Sequence, residues 1–334
     1  MIKSISIKGF KSIKEAKLDT ARVNVFIGEP NSGKTNIIEG IGLLSLPYFL
    51  RVENIVRFQD FINLFYNNDI KNSVFFNFKF ENRNLNSNTV DYSILELKIS
   101  KVEKVTTFLF NGNKISSNWI KMYYENNKFK DSTGKINNLL VKYYDFKKYK
   151  IYDGEELSFL YPPNGKNLFN ILSTNPELRK FAADLFENYG YYLQLEQSGK
   201  NINLSRFQDG VLISQPYYNV ADTLQRVLFY TAVIDSNNDS TILLDEPDVY
   251  LFPKYTKHLA ERIAKYNSNQ FFLTTHNPYF LQTLAEKTPE EELRIFLTYN
   301  EDFQTKFKQL NSEEILSLRD EDISVFFNLD KFRD

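Results

Sequence analysis

The sequence has no cysteine, and only two histidines, two methionines and one tryptophan among its 334 residues. Without cysteine there are no disulfides, no thiolate nucleophiles and no cysteine-ligated zinc sites. His258 and His276 are too few for a histidine-rich metal centre. Charge of one sign is lacking too: 41 Lys and Arg stand against 42 Asp and Glu, a net charge of −1. That balance gives no general attraction to nucleic acid or anionic membranes, so any such contact needs a local patch. No apolar run reaches the ~18 residues of a spanning helix. The longest, Ile41 to Leu50, is interrupted by Ser45 and Pro47, and the opening MIKSISIKGFKS has no secretory apolar segment. Repeats, heptads and low-complexity linkers are also missing. The chain reads as soluble and cytoplasmic, with no membrane partner.

Hydrophobic residues make up 42% and charged residues 25%, ordinary globular usage that excludes wholesale disorder. The length suits one large domain or two intimate ones. Aromatics reach 16%, with 30 Phe and 21 Tyr. They lack basic interleaving within a segment, so they fit an AT-rich coding bias better than base-stacking platforms.

The pattern along the chain predicts strands over Ile2 to Ile7, Lys14 to Leu18 and Val23 to Phe26, then a helix from Lys34 to about Leu46, stopped by Pro47. Ile55 to Tyr66 reads as a short amphipathic helix. Ser73 to Phe80, Val90 to Ile99 and Val105 to Phe110 alternate apolar and polar residues, the mark of antiparallel sheet. The signal is weak from Asn111 to about Gly154. Helix returns over Pro176 to Tyr189, followed by short strands at Tyr191 to Glu196 and Val211 to Ser214. After Pro216 helices at Val220, Tyr255 and Tyr279 alternate with strands at Thr241, Phe271 and Leu293. The expected fold is α/β, a mixed central sheet with helices plus an antiparallel β lobe and a helical or irregular insertion. Its core would be split over 1–55 and 200–334, around an inserted lobe at 56–199.

Gly28-Glu29-Pro30-Asn31-Ser32-Gly33-Lys34-Thr35 fits the phosphate-loop pattern G-x-x-x-x-G-K-[ST]. Glycines let backbone N–H groups curl around phosphate oxygens at a helix N-terminus. Lys34 would reach the β/γ-phosphates and the Thr35 hydroxyl would bind Mg²⁺. Asn31, Ser32, Gly33 and Asn36 complete the nucleotide-binding candidates. Thr241 to Leu244 would carry Asp245 and Glu246 to a strand's C-terminal end, where open α/β sheets bind ligands. Asp245 would hold the metal through water, and Glu246 would polarise the attacking water. Phe271 to Thr274, again a buried strand, leads to Thr275 and His276, a candidate sensor of the γ-phosphate.

The order of these motifs resembles the ABC-type ATPase heads of the RecF/SMC and OLD (overcoming-lysogenization-defect) group. The opening Ile7-Lys8-Gly9-Phe10-Lys11-Ser12-Ile13 looks like that group's first strand and turn, and Asp245 to Pro253 is similar to its Glu-Pro-Glu-x-x-Leu-x-Pro ending. The resemblance covers about 1–65 and 185–300. It implies ATP and Mg²⁺ as ligands, and heads that pair so that each phosphate loop faces the partner's signature segment. Here the equivalent is Ala221, Asp222 and Thr223, without the family's glycine; Asp222 is either a helix cap or a residue facing the partner's nucleotide. By the same analogy Lys11 is either a nucleotide contact or a solvated turn lysine. Gln59 is a candidate for the family's glutamine loop, or a solvated helix face.

No long coiled coil interrupts the head, and too few residues follow His276 for the Toprim nuclease domain that OLD nucleases add. Asp320, Glu321 and Asp322 read as a solvated acidic turn. The resemblance thus implies a stand-alone, slow ATPase of prokaryotic anti-phage defence type. It would self-assemble as a dimer or larger ring and control a separately encoded nuclease or toxin. Two alternatives stand beside it: a non-hydrolysing, nucleotide-gated scaffold that sequesters a partner, and a RecF-like repair ATPase for which DNA is a partner.

Overall fold

The structure is a computed structural model that describes residues 1–46, 51–84, 89–112, 119–125, 128–133, 141–320, 326 and 329–332. Pro47, Glu321 and Asp322, named above, lie outside them. The chain opens with an antiparallel pair, β1 (Ile2–Phe10) and β2 (Ile13–Asp19). β3 (Val23–Ile27) leads into helix α1 (Lys34–Gly42). An antiparallel run follows: β4 (Val74–Asn84), β5 (Thr89–Val102), β6 (Val105–Gly112), β7 (Trp119–Glu125) and β8 (Lys128–Thr133). Then come β9 (Val141–Tyr144), α2 (Leu168–Thr174) and α3 (Pro176–Glu187). A three-stranded meander of β10 (Tyr192–Glu196), β11 (Asn201–Gln208) and β12 (Val211–Pro216) precedes α4 (Asp222–Ser236). The chain continues through β13 (Thr241–Leu244), α5 (Pro253–Lys265), β14 (Gln270–Thr274) and α6 (Pro278–Lys287). The hairpin of β15 (Leu293–Glu301) and β16 (Gln304–Gln309) and helix α7 (Ser312–Asp320) follow.

Among the described residues, the central sheet runs β16-β15-β3-β14-β13-β9. All its pairings are parallel except β15 with β16. β3, β13 and β14 are buried at every position, because both faces are covered, and a parallel strand covered twice reads as an unbroken apolar run. Alternate residues feed two cores. Ile242, Leu244, Phe271 and Leu273 point into the core beneath α4, α5 and α6. Leu243, Phe272 and Phe26 point into the other, with Ile37, Ile38 and Ile41 of α1.

The second sheet, β2-β1-β4-β5-β6-β7-β8, lies over the far side of α1. Its inner face is aromatic: Phe76 and Phe78 stack at 5.9 Å, and Phe10 meets Phe76 edge-on at 5.2 Å. The abundant Phe therefore fills a core.

Two expectations change. Residues 55–66 form no α-helix but 3₁₀ turns at Phe61–Leu64 and Tyr66–Asn68. Asp60 takes the Ile62 N–H at 2.9 Å and Asn63 takes the Asp60 N–H at 3.0 Å, so side chains capture the donors that a helix would use. The division into 1–55 plus 200–334 and 56–199 cuts across both sheets. β1 pairs with β4, and β9 is an edge strand of the central sheet, beside β13. The architecture is α/β, with a mixed, mostly parallel central sheet and an antiparallel β lobe.

Candidate active site

Parallel pairing brings the C-terminal ends of β3, β14 and β13 to one edge of the sheet, with Leu244 level with Leu273 and Thr274 level with Phe26. The chain leaves β3 at Gly28, where a Cβ would stand 2.0 Å from the Thr298 carbonyl oxygen. At Gly33, with φ 97°, a Cβ would stand 2.1 Å from Thr305 Oγ1. Both positions exclude a side chain, and both by conformation as well, Gly28 at φ 151°. Asn31 is exposed and left-handed too, at φ 61°, and such a sequence turns successive N–H groups toward a common centre. Gly33 caps α1 without a side-chain bond, and the first turn carries no acid. The free donors and positive end of the helix are thus left for an anion.

Lys34 is 5% exposed. Its ammonium donates to the carbonyls of Gly28 at 3.0 Å and Glu29 at 2.7 Å, and to Ser32 Oγ at 3.3 Å. Burial pulls its pKa down to about 8, against the opposing charges of Glu246, Asp245 and Glu29. Behind the loop, the Thr305 hydroxyl donates to the Ser32 carbonyl at 3.0 Å and shares a 2.6 Å bond with Ser12. Asn36 Nδ2 donates to Ser12 Oγ at 2.7 Å, so its amide braces the loop from behind.

The acids arrive from β13. Asp245 Oδ1 accepts from the Thr35 hydroxyl at 3.2 Å and from the Thr274 hydroxyl at 2.6 Å. The Glu246 N–H donates to Thr274 Oγ1 at 2.9 Å. Among the described residues no cluster of three or more His, Cys, Asp and Glu could hold a metal. A divalent cation here would rest on Thr35, Asp245 and phosphate oxygens; that donor set fits Mg²⁺, which keeps few protein ligands.

Glu246 has φ 48°, an uncommon conformation that costs energy at a non-glycine residue. Its Oε1 lies 3.4 Å from His276 Nε2, with both side chains over one-third exposed. Partial burial and the charge of Lys34 lower the His276 pKa, while Glu246 and Asp245 oppose them. A neutral imidazole can donate its Nε2 hydrogen to the carboxylate.

Other candidates sit elsewhere. The Lys11 ammonium pairs with Glu39, itself 1% exposed, and donates to the Arg57 carbonyl at 2.6 Å. Arg57 Nε donates to the same glutamate at 2.9 Å. The Lys11 charge is thereby tied to α1 and not aimed into the loop. Gln59 is exposed in a bend, its N–H on Asn63 Oδ1 at 3.2 Å. Ala221 is the N-cap of α4 and Asp222 its first residue, with no side-chain cap bond; of the two roles open to Asp222, the cap is not formed, and its carboxylate pairs with Lys148. The Thr223 hydroxyl donates to the Tyr250 carbonyl at 2.8 Å, tying this helix to the loop after Glu246.

Four residues at this edge carry roles that the sequence alone does not assign. Thr274 and Thr275 stand in the motif beside His276, and the structure gives their hydroxyls partners. Asp248 is buried, and accepts from Thr275 Oγ1 at 3.0 Å. Asp145 follows β9, inside the stretch of weakest signal. Partial loss of solvent raises its pKa, Arg226 opposes most strongly, and Asp245 adds to the rise.

No curated protein matches this chain. Among solved structures it resembles a crystal structure of an SMC head bound to the C-winged helix domain of ScpA. That match has a TM-score of 0.57 and 15% identity, over 95% of this chain and 99% of that one. An SMC head domain from Thermotoga maritima matches with a TM-score of 0.45 and 16% identity, over 93% of this chain and 99% of that one. None of the described helices is long and apolar enough to cross a membrane. Residues 23–282 match a family model described as "AAA domain, putative AbiEii toxin, Type IV TA system", and the span runs from β3 through His276 into α6. With the phosphate loop, the paired acids and the histidine all inside the matched span, the chain belongs to that family of P-loop ATPases.

Proposed function

We propose that this chain binds Mg-ATP at residues 28–36 and hydrolyses it slowly, in paired or ring-like assemblies of heads that control a separately encoded nuclease or toxin in prokaryotic anti-phage defence. The observation that carries the reading is the 3.2 Å contact of Thr35 with Asp245, because it joins a phosphate-binding loop to a pair of acids. In this reading Lys34 leaves the loop carbonyls for the β/γ-phosphates, and Thr35 and Asp245 hold the metal. Mg²⁺, when bound, neutralises charge developing on the phosphate oxygens. Glu246 accepts a hydrogen bond from the attacking water, and His276 steadies the Glu246 carboxylate from its other side.

Support for the effector is of a different kind. The family description speaks of a toxin and a toxin–antitoxin system, and the SMC head of like fold was solved with a winged-helix domain bound. Fold likeness carries an analogy and no more. The scaffold alternative is favoured by the signature segment, which carries Asp222 and lacks the family's glycine, and opposed by the intact pair Asp245 and Glu246.

Calorimetric titration with Mg-ATP, paired with size-exclusion mass with and without nucleotide, tests the reading. Lys34→Ala should lose ATP binding, since it removes the loop's only side-chain cation. Retained micromolar affinity in that variant would overturn the assignment.

A further inference from the structure

Asp248 is 5% exposed, yet it is a carboxylate in the loop that follows Glu246. Its Oδ2 accepts from the Thr275 hydroxyl at 3.0 Å, while its Oδ1 is buried with no hydrogen-bond partner among the described residues. Burial pushes its pKa up to about 7, with the charge of Glu246 adding to the rise, against the pull of its own backbone N–H and the Thr275 and Asn277 side chains. Such a group is costly to bury and adds nothing to apolar packing, so the position calls for another reason.

The reason lies in what Thr275 holds. Its Oγ1 donates to Asp248 and accepts the Asn277 N–H at 2.9 Å. One hydroxyl thus closes the turn on both sides of His276. Asn277 in turn caps α6, its Oδ1 accepting from Tyr279 N–H at 3.0 Å. The adjacent Thr274 ties the same turn to the Glu246 N–H at 2.9 Å. Two consecutive threonines therefore bind the histidine turn to both flanks of Glu246: its own amide, and Asp248 two residues on.

Resting on the reading of this site as an ATPase, we propose that Asp248 is a positioning residue: by fixing the Thr275 hydroxyl, it sets His276 against the Glu246 carboxylate. What Asp248 supplies is an acceptor, so an amide at this position should serve as well as an acid.

The chain's two histidines make a direct test possible, because NMR titration of the ring Cε1–Hε1 signals reads His276 with His258 as an internal control for the fold. In the parent protein Glu246→Gln removes a charge that favours imidazolium, and the His276 midpoint should fall by about one pH unit. In an Asp248→Ala background, and in a Thr275→Val background that preserves shape, the same substitution should move it less than about one-third as far. Asp248→Asn and Thr275→Ser should restore the full response. Equal responses in all backgrounds, including none in any, would overturn the proposal. The cycle needs no ATP turnover, so an inactive parent protein would refute the proposed activity and leave this result readable.

Discussion

The Thr35 hydroxyl donates to Asp245 Oδ1 at 3.2 Å, across 210 residues of sequence. One residue lies in the first turn of α1 and the other follows β13, and neither strand nor helix alone brings them together. The contact depends on β14 lying between β3 and β13, in register with both. Thr35→Val keeps the shape and deletes the oxygen. It should weaken Mg-ATP binding while leaving metal-free ATP, measured in excess chelator, unchanged. Equal loss under both conditions would mean that Thr35 supports the loop and not the metal.

Glu246→Gln retains size and hydrogen bonding but loses the charge that orients water. Turnover should fall by about 10²–10⁴-fold with ATP affinity retained, and the ATP-bound assembly should accumulate. Single-turnover measurement with size-exclusion mass checks both. Parental turnover would remove Glu246 from the chemistry.

Asp222 is half-exposed and pairs with Lys148 at the start of α4. Exposed pairs and charges at a helix start each contribute little, so Asp222→Ala should cost about 1 kcal/mol or less of stability. Chemical denaturation provides the measurement. A loss well above that would reveal a capping role absent from the hydrogen bonds.

Asp248 gives a pH signature. Its pKa rises from 3.8 to about 7 on folding, so between those values the folded state binds more protons than the unfolded one. Stability contributed by this residue therefore falls as pH rises from about 4 to about 7, and is level above. Asp248→Asn removes the ionisation, so its stability relative to the parent should climb across that window, by up to about 4 kcal/mol. Denaturation midpoints against pH supply the check; a constant difference would show that Asp248 ionises normally.

Local sequence determined much of this protein. Gly28 to Thr35 reads as a phosphate-type loop because its glycine spacing, lysine and hydroxyl stand together between an apolar strand and a helix. Unbroken apolar runs at Thr241–Leu244 and Gln270–Thr274 had to be buried strands, and buried strands deliver the polar residues after them to one edge. Both signals reside in consecutive residues, so they can be read without the fold.

Tertiary structure decided the rest. In sequence Lys11 fits a nucleotide contact or a solvated turn equally well; in the fold Glu39, buried on α1, holds it. Residues 55–66 carry an amphipathic pattern, yet Asp60 and Asn63 take the backbone donors and the segment turns in 3₁₀ steps. Asp222 met Lys148, 74 positions away, instead of its own helix start. Asp145 joined the field of Asp245 because β9 pairs with β13, from a stretch whose own pattern is weak. A charge or a hydroxyl has several partners of nearly equal worth in sequence; only packing, which excludes water and fixes distance, selects one.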